Sequence, residues 1–306
     1  MHVLNTLAPV FVVISLGAVL RRSGFLSEAF LRGLNRLVYW VALPALLFGK
    51  IVTAPAIGPE AGESFAIALA GTLAAVVVGL AVAAALRVPG QSVGTFVQAS
   101  FRGNLAYVGL PVVLHAFDGN PQAETLAVLT LAPLVPIYNV VAVVVLLASR
   151  HKPSRSAVRK MLLQIATNPL LLSCLAGLAV SAAGAGIPTA ADRTLDVLAG
   201  LTLPAALLAV GGALVGARLR GRVLQSTSAA MVKLAIAPAV GLLTAYLLSA
   251  GREETFVGLI LLACPTAVAS HVLADQLGGD GDLSAATIAL TTVLSIVPLT
   301  IIVAAL

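Results

Sequence analysis

A polar, proline-punctuated break inside an apolar stretch constrains this chain more than any other feature, and it occurs twice. The first reads Phe101-Arg102-Gly103-Asn104-Leu105-Ala106-Tyr107-Val108-Gly109-Leu110-Pro111, with apolar sequence on both sides. The second reads Ala263-Cys264-Pro265-Thr266-Ala267-Val268-Ala269-Ser270-His271. Backbone that leaves the helix inside a bilayer must be buried in protein or line a cavity, because lipid cannot satisfy its polar groups. Two such breaks at matching places in two halves point to an intramembrane binding site.

The surroundings require a membrane. Of 306 residues, 59% are hydrophobic and only 10% charged, against roughly 25% charged in soluble domains. Such a chain has too little polar surface to stay dispersed in water, and no stretch is long and polar enough for a soluble domain. The net charge of +6 does not call for nucleic acid, because the basic residues sit at the ends of apolar segments, where membrane orientation explains them. Cys174 and Cys264 both lie in apolar sequence and have neither metal spacing nor a disulfide pattern. The start, Met1-His2-Val3-Leu4-Asn5, lacks a basic region and a small-residue cleavage site, so it reads as a retained first span.

A span needs about 20 apolar residues. Ten are predicted, at 3–20, 33–52, 64–86, 93–117, 123–149, 161–182, 195–215, 225–249, 254–277 and 283–305. With the N-terminus outside, the inward loops hold Arg21, Arg22, Arg32, Arg36, Arg87, Arg150, Lys152, Arg155, Arg159, Lys160, Arg218, Arg220 and Arg222, which are 13 of the 18 Lys and Arg residues. The outward side keeps only Lys50, Arg193 and Arg252. That asymmetry supports an even span number, with both termini on the non-cytoplasmic side of a cell inner membrane.

Landmarks recur about 160 residues apart. Pro9 and Gly17 match Pro169 and Gly177. Pro44 matches Pro204. Leu129-Thr130 with Pro136 resembles Leu290-Thr291 with Pro298. The broken spans 4 and 9 fall into the same register. Five spans per half is an odd number, so the halves must be inverted in the membrane. The expected fold is therefore an all-α integral membrane protein of two inverted five-helix repeats. They would occupy 1–150 and 161–306, joined by a basic cytoplasmic linker at 151–160.

The chemistry is expected at the breaks. Asn104 offers two donors and an acceptor, set among Gly103, Leu105, Gly109 and Pro111. Pro265 removes a helix donor, and Thr266 and Ser270 follow it. Two half-helices that begin near the midplane would present unpaired N–H groups and partial positive charge, which suits an anion such as a carboxylate. Gly103, Asn104, Leu105, Pro265, Thr266 and Ser270 are thus the substrate-binding candidates; the alternative is that Pro and Gly only kink packed helices. Arg102 either attracts an anion or a carboxylate partner, or snorkels to the interface. His271 and Asp275, four apart on one helix face, either form a proton-sensitive pair or place Asp275 at the inner interface. Asn139 either lends its oxygen to a cation such as sodium or bonds to broken span 4. Lys233 is expected to snorkel from the inward end of span 8, and Asn168-Pro169 to cap span 6. Gly212 and Gly216 make a GxxxG packing motif. No metal site or cofactor is expected beyond a coupling sodium ion or proton.

These segments resemble the auxin efflux carrier family of membrane transporters. The likeness is carried by Arg102-Gly103-Asn104 with Gly109-Leu110-Pro111, by Pro136-Ile137-Tyr138-Asn139, by Pro265-Thr266-Ala267-Val268 and by Leu290-Thr291-Thr292-Val293-Leu294-Ser295. The chain lacks the long central loop of some plant members. The resemblance implies a fold similar to that of bile acid:sodium symporters. Spans 1, 2, 6 and 7 would form a scaffold and often a homodimer surface, and spans 3–5 and 8–10 a mobile core crossing at spans 4 and 9. It implies elevator-type carriage of a small organic anion, auxin-like or a dicarboxylate, with Asn104 on the substrate carboxylate and Pro265 at the second crossover. A sodium-coupled symporter, a channel and a non-transporting sensor are the alternatives. There is no Walker motif for nucleotide hydrolysis. A hydrolase built on Ser270, His271 and Asp275 is disfavoured, because adjacent residues point about 100° apart on a helix.

Overall fold

The computed structural model describes residues 2–53, 60–118, 120–149, 163, 166–215 and 222–306. The linker at 151–160 and Gly216 lie outside them. The described residues are helical, and their only extended pairing is an isolated bridge between Gly103 and Thr266. The first half contains α1 (His2–Arg22), α2 (Glu28–Leu37), α3 (Leu43–Val52), α4 (Glu60–Ala85), α5 (Gly90–Phe101), α6 (Leu110–Ala116) and α7 (Pro121–Ala148). The second contains α8 (Pro169–Ala182), α9 (Thr189–Gly200), α10 (Thr202–Leu214), α11 (Val223–Met231), α12 (Ala237–Leu248), α13 (Arg252–Ala263), α14 (Ala269–Gln276), α15 (Gly281–Leu294) and α16 (Ile296–Ala305).

Seven stretches are long and apolar enough to cross a membrane: 3–22, 28–52, 61–85, 121–148, 189–214, 223–248 and 281–305. They coincide with seven of the ten predicted spans. Predicted spans 4 and 9 are each interrupted, as α5/α6 and α13/α14. Within predicted span 6 the described helix α8 opens at the Asn168 cap.

Prolines shape three of these stretches. Short π segments at Val38–Ala42, Leu105–Gly109 and Val232–Ile236 each end two residues before a proline, Pro44, Pro111 and Pro238. A proline ring collides with the carbonyl four residues back. One extra residue in the preceding turn widens it and relieves the clash, and Leu43, Leu110 and Ala237 then bond five residues back, to Val38, Leu105 and Val232. Asn168 caps α8 as expected, accepting from the N–H groups of Leu170 and Leu171.

Glycines set the closest helix contacts. α1 lies along α10, and α3 along α8. A methyl on Gly17 would collide with the Leu208 backbone, and one on Gly211 with the Ile14 carbonyl, so only glycine allows this approach. Gly212, from the GxxxG motif, packs instead against the Leu31 side chain. The remaining helices gather around α4, which contacts α5, α7, α12 and α13. Large apolar side chains such as Val12, Val77, Leu175, Tyr246 and Ile301 point outward, as lipid-facing surface does.

Candidate functional site

The two breaks meet. The Asn104 N–H donates to the Pro265 carbonyl at 2.7 Å, and the Ala267 N–H to the Arg102 carbonyl at 2.9 Å. These bonds make the Gly103–Thr266 bridge. They explain how unwound backbone survives inside an apolar protein: each break supplies the other's missing partners.

The rest of the second break is equally accounted for. Pro265 has no N–H for the Leu261 carbonyl, which accepts the Cys264 thiol instead at 2.9 Å. The Thr266 N–H is diverted to Thr291 Oγ1 at 3.1 Å. Its hydroxyl donates to the Ala99 carbonyl at 2.8 Å. The Leu262 carbonyl, left without its helical donor, accepts the Lys233 ammonium.

A cavity of about 700 Å³ lies on one side of this crossing. Arg102, Gly103, Asn104, Leu105, Ala106 and Tyr107 line it from the first break, and Ala267, Val268 and Ala269 from the second. α2 adds Arg32, Asn35 and Arg36, and α7 adds Tyr138 and Asn139. The π turn at Leu105 and helix α14 at Ala269 therefore start at its wall, although the Ser270 and His271 N–H groups are already engaged, by the Ala267 and Val268 carbonyls. Among the described residues, three guanidinium groups and three side-chain amides line the cavity, and no carboxylate does.

Two donors at the crossing are buried and unengaged. Arg102 is 8% exposed and donates from Nη2 to Asn139 Oδ1 at 2.6 Å, while its Nη1 has no partner among the described residues. Asn104 is 7% exposed, and its Nδ2 is likewise without a partner among them. Donors left this way cost free energy unless something accepts from them. Only Arg102 of the two carries charge, and both present a free N–H donor at the crossing.

The sequence-derived candidates thus divide. Gly103, Asn104 and Leu105 line the cavity. Pro265, Thr266 and Ser270 do not: the first two hold the crossing together, and Ser270 is buried behind it, its carbonyl accepting from Gln98 Nε2 at 3.2 Å. Arg102 is buried and does not snorkel. Asn139 bonds broken span 4, its Oδ1 accepting from Arg102 Nη2 at 2.6 Å. His271 and Asp275 do pair, at 3.4 Å, but away from the crossing. They line a separate depression with Arg222 and Asp280, and Asp275 is exposed. His271 Nδ1 faces the Gly281 carbonyl at 3.1 Å, so neither ring nitrogen addresses Ser270 as a hydrolase would need.

Lys233 overturns its expectation most clearly. It is fully buried, with its ammonium at the crossing. Arg36, Asn35 and Tyr107 were also missed as cavity residues; they sit at a helix face and a π turn that hydropathy does not resolve.

Apolar membrane-length helices surrounding a cationic cavity define a multi-pass membrane protein of the transporter class. The chain matches the family described as membrane transport protein over residues 2–303, and it belongs to that family, the auxin efflux carrier family. It is 28% identical over 274 residues, covering 87% of this chain and 84% of the relative, to a protein of Rhizobium meliloti (strain 1021) named "Putative malonate transporter".

Proposed function

We propose that this protein is a secondary carrier of small organic anions, with short dicarboxylates of the malonate type as first candidates. The observation that carries this reading is the cavity itself. Its wall holds Arg102 Nη1 and Asn104 Nδ2, both unengaged, and no carboxylate lines it, among the described residues. Arg32 and Arg36, both exposed, line the same cavity, so a dianion would meet further positive charge beside Arg102. Arg32 is shared with Glu28 at 2.5 Å, which leaves Arg36 as the freer of the two.

Movement would follow the division of the helices. α1, α2–α3, α8 and α9–α10 form one unit, and the helices around α4 form the other. The first unit is the scaffold in this reading and offers outward apolar side chains, among them Val12, Val19, Leu172 and Leu175, to lipid or to a second copy. Two inverted repeats are supported by equivalent contacts: α1 lies on α10 as α8 lies on α3. The matched Gly17 and Gly177 sit at these two contacts, against Leu208 and against Ile51. With the basic loops inward, as this reading takes them, Arg32 and Arg36 would put this side of the cavity toward the cytoplasm, and the state would be an inward-facing one.

The test is a thermal-shift screen of purified protein against mono- and dicarboxylates and indole acids. A ligand that binds only the folded state raises the melting midpoint. The reading expects a dicarboxylate to raise it, and Arg102→Gln to abolish the shift. A cooperative melt that no carboxylate moves would refute it.

A further inference from the structure

Lys233 has no role in the cavity just described, yet it is the most deeply placed charge near it. Its side chain is fully buried, and among the described residues no carboxylate pairs with it. The ammonium donates to the carbonyl of Leu262, in the last turn of α13. That turn ends at the break, and the C-terminal end of a helix carries partial negative charge. A methyl on Gly103 would lie 3.3 Å from Lys233 Nζ and 2.8 Å from Cys264 Sγ, so the ammonium lies close against the crossing without lining the cavity. A buried, unpaired charge is costly in a membrane protein and is retained where function needs it.

The position is one that a dissociable cation would otherwise take. Unwound carbonyls and half-helix C-terminal ends at broken helices are the groups that coordinate coupling cations in transporters. Here the lysine has reached the Leu262 carbonyl first, and Arg102 has done the same at the Asn139 oxygen. We infer that Lys233 is a built-in cation: it holds the α13 end of the crossing and contributes positive field to the anion site through Gly103, so the carrier needs no sodium ion. The inference rests on the carrier reading for its transport consequence, and on the geometry alone for its effect on the protein.

Two readouts separate these. In the first, without any substrate, the wild-type melting midpoint is compared in sodium, potassium and choline chloride, and Lys233→Ala is melted with and without n-propylammonium, the fragment removed. The wild type is expected to melt at one temperature in all three salts. Propylammonium is expected to raise Lys233→Ala by several degrees and the wild type not at all. In the second, malonate affinity and uptake by proteoliposomes are measured in sodium and in choline for the wild type and Lys233→Met, which keeps the unbranched shape to within one atom but not the charge. The wild type is expected to change less than twofold on replacing sodium, and Lys233→Met to lose at least tenfold in affinity. A sodium-dependent wild-type midpoint or uptake would overturn the inference, as would wild-type affinity in Lys233→Met or equal propylammonium shifts in both proteins. If no form of the protein binds malonate, the malonate reading fails while the first readout still decides the lysine's role.

Discussion

Truncating Asn104 should separate binding from folding, because its backbone and side chain do different jobs. The backbone N–H donates to Pro265, and the carbonyl accepts from Val108 and Gly109. Alanine keeps all three bonds, and the backbone at φ −82°, ψ 64° needs no special residue. The side-chain Nδ2 has no partner among the described residues. Asn104→Ala should therefore change stability by less than about 1 kcal/mol, since no protein hydrogen bond is lost. Binding should suffer more: a hydrogen bond to a charged acceptor contributes roughly 1.5–3 kcal/mol, or roughly a 10- to 150-fold rise in Kd at about 1.4 kcal/mol per decade. Asn104→Asp adds repulsion of about 4 kcal/mol between like charges ~4 Å apart at an effective dielectric near 20, enough to erase measurable binding. The assay is calorimetric titration of malonate into purified variants alongside thermal melts. Wild-type affinity in Asn104→Ala would refute the site; an unfolded Asn104→Ala would refute the division of labour.

Other residues make complementary predictions. Thr266→Val removes the hydroxyl bond to Ala99 and should cost about 1 kcal/mol of stability with ligand affinity unchanged, measured by denaturation and titration, because Thr266 braces the crossing and does not face the cavity. Gly211→Ala should lower the melting midpoint by separating α1 from α10, at a cost of about 1–3 kcal/mol for overpacking, while Gly33→Ala, where a methyl meets nothing, should be tolerated. Lys50 on α3 pairs with Glu124 on α7, joining the two helix units at the end remote from Arg32 and Arg36. Lys50→Gln should favour the outward-facing state, read as faster labelling of a cysteine placed near Asn120 in otherwise cysteine-free protein; unchanged labelling would remove this pair as a latch.

The breaks and most spans were legible because hydropathy and Gly/Pro punctuation act over short sequence distances. Seven predicted spans fall on continuous apolar stretches, and the interruptions fall at Arg102–Asn104 and Cys264–Val268. The partner of each broken strand of backbone was not legible, since the Gly103–Thr266 bridge joins residues from opposite halves and depends on tertiary packing. The same limit separated Asn104, on the cavity wall, from Thr266, behind it. Lys233 was misplaced for a geometric reason. It lies ten residues into the helical stretch that starts at Val223, about 15 Å at 1.5 Å per residue, which is half of a hydrocarbon core about 30 Å thick. Counted from the helix start, it is too deep to snorkel. The π turns before Pro44, Pro111 and Pro238 left no signal beyond the prolines themselves, because a proline can also be absorbed by a kink.

The central claim is that this cavity carries an anion across the membrane. Counterflow tests it most directly: proteoliposomes loaded with unlabelled malonate are diluted into trace labelled malonate, and internal label is followed. A carrier that exchanges substrate at Asn104 and Arg102 predicts a transient accumulation of label above equilibrium, absent in Asn104→Asp. Simple equilibration without overshoot would indicate a channel, and no entry of any tested carboxylate into vesicles holding folded protein would contradict the account.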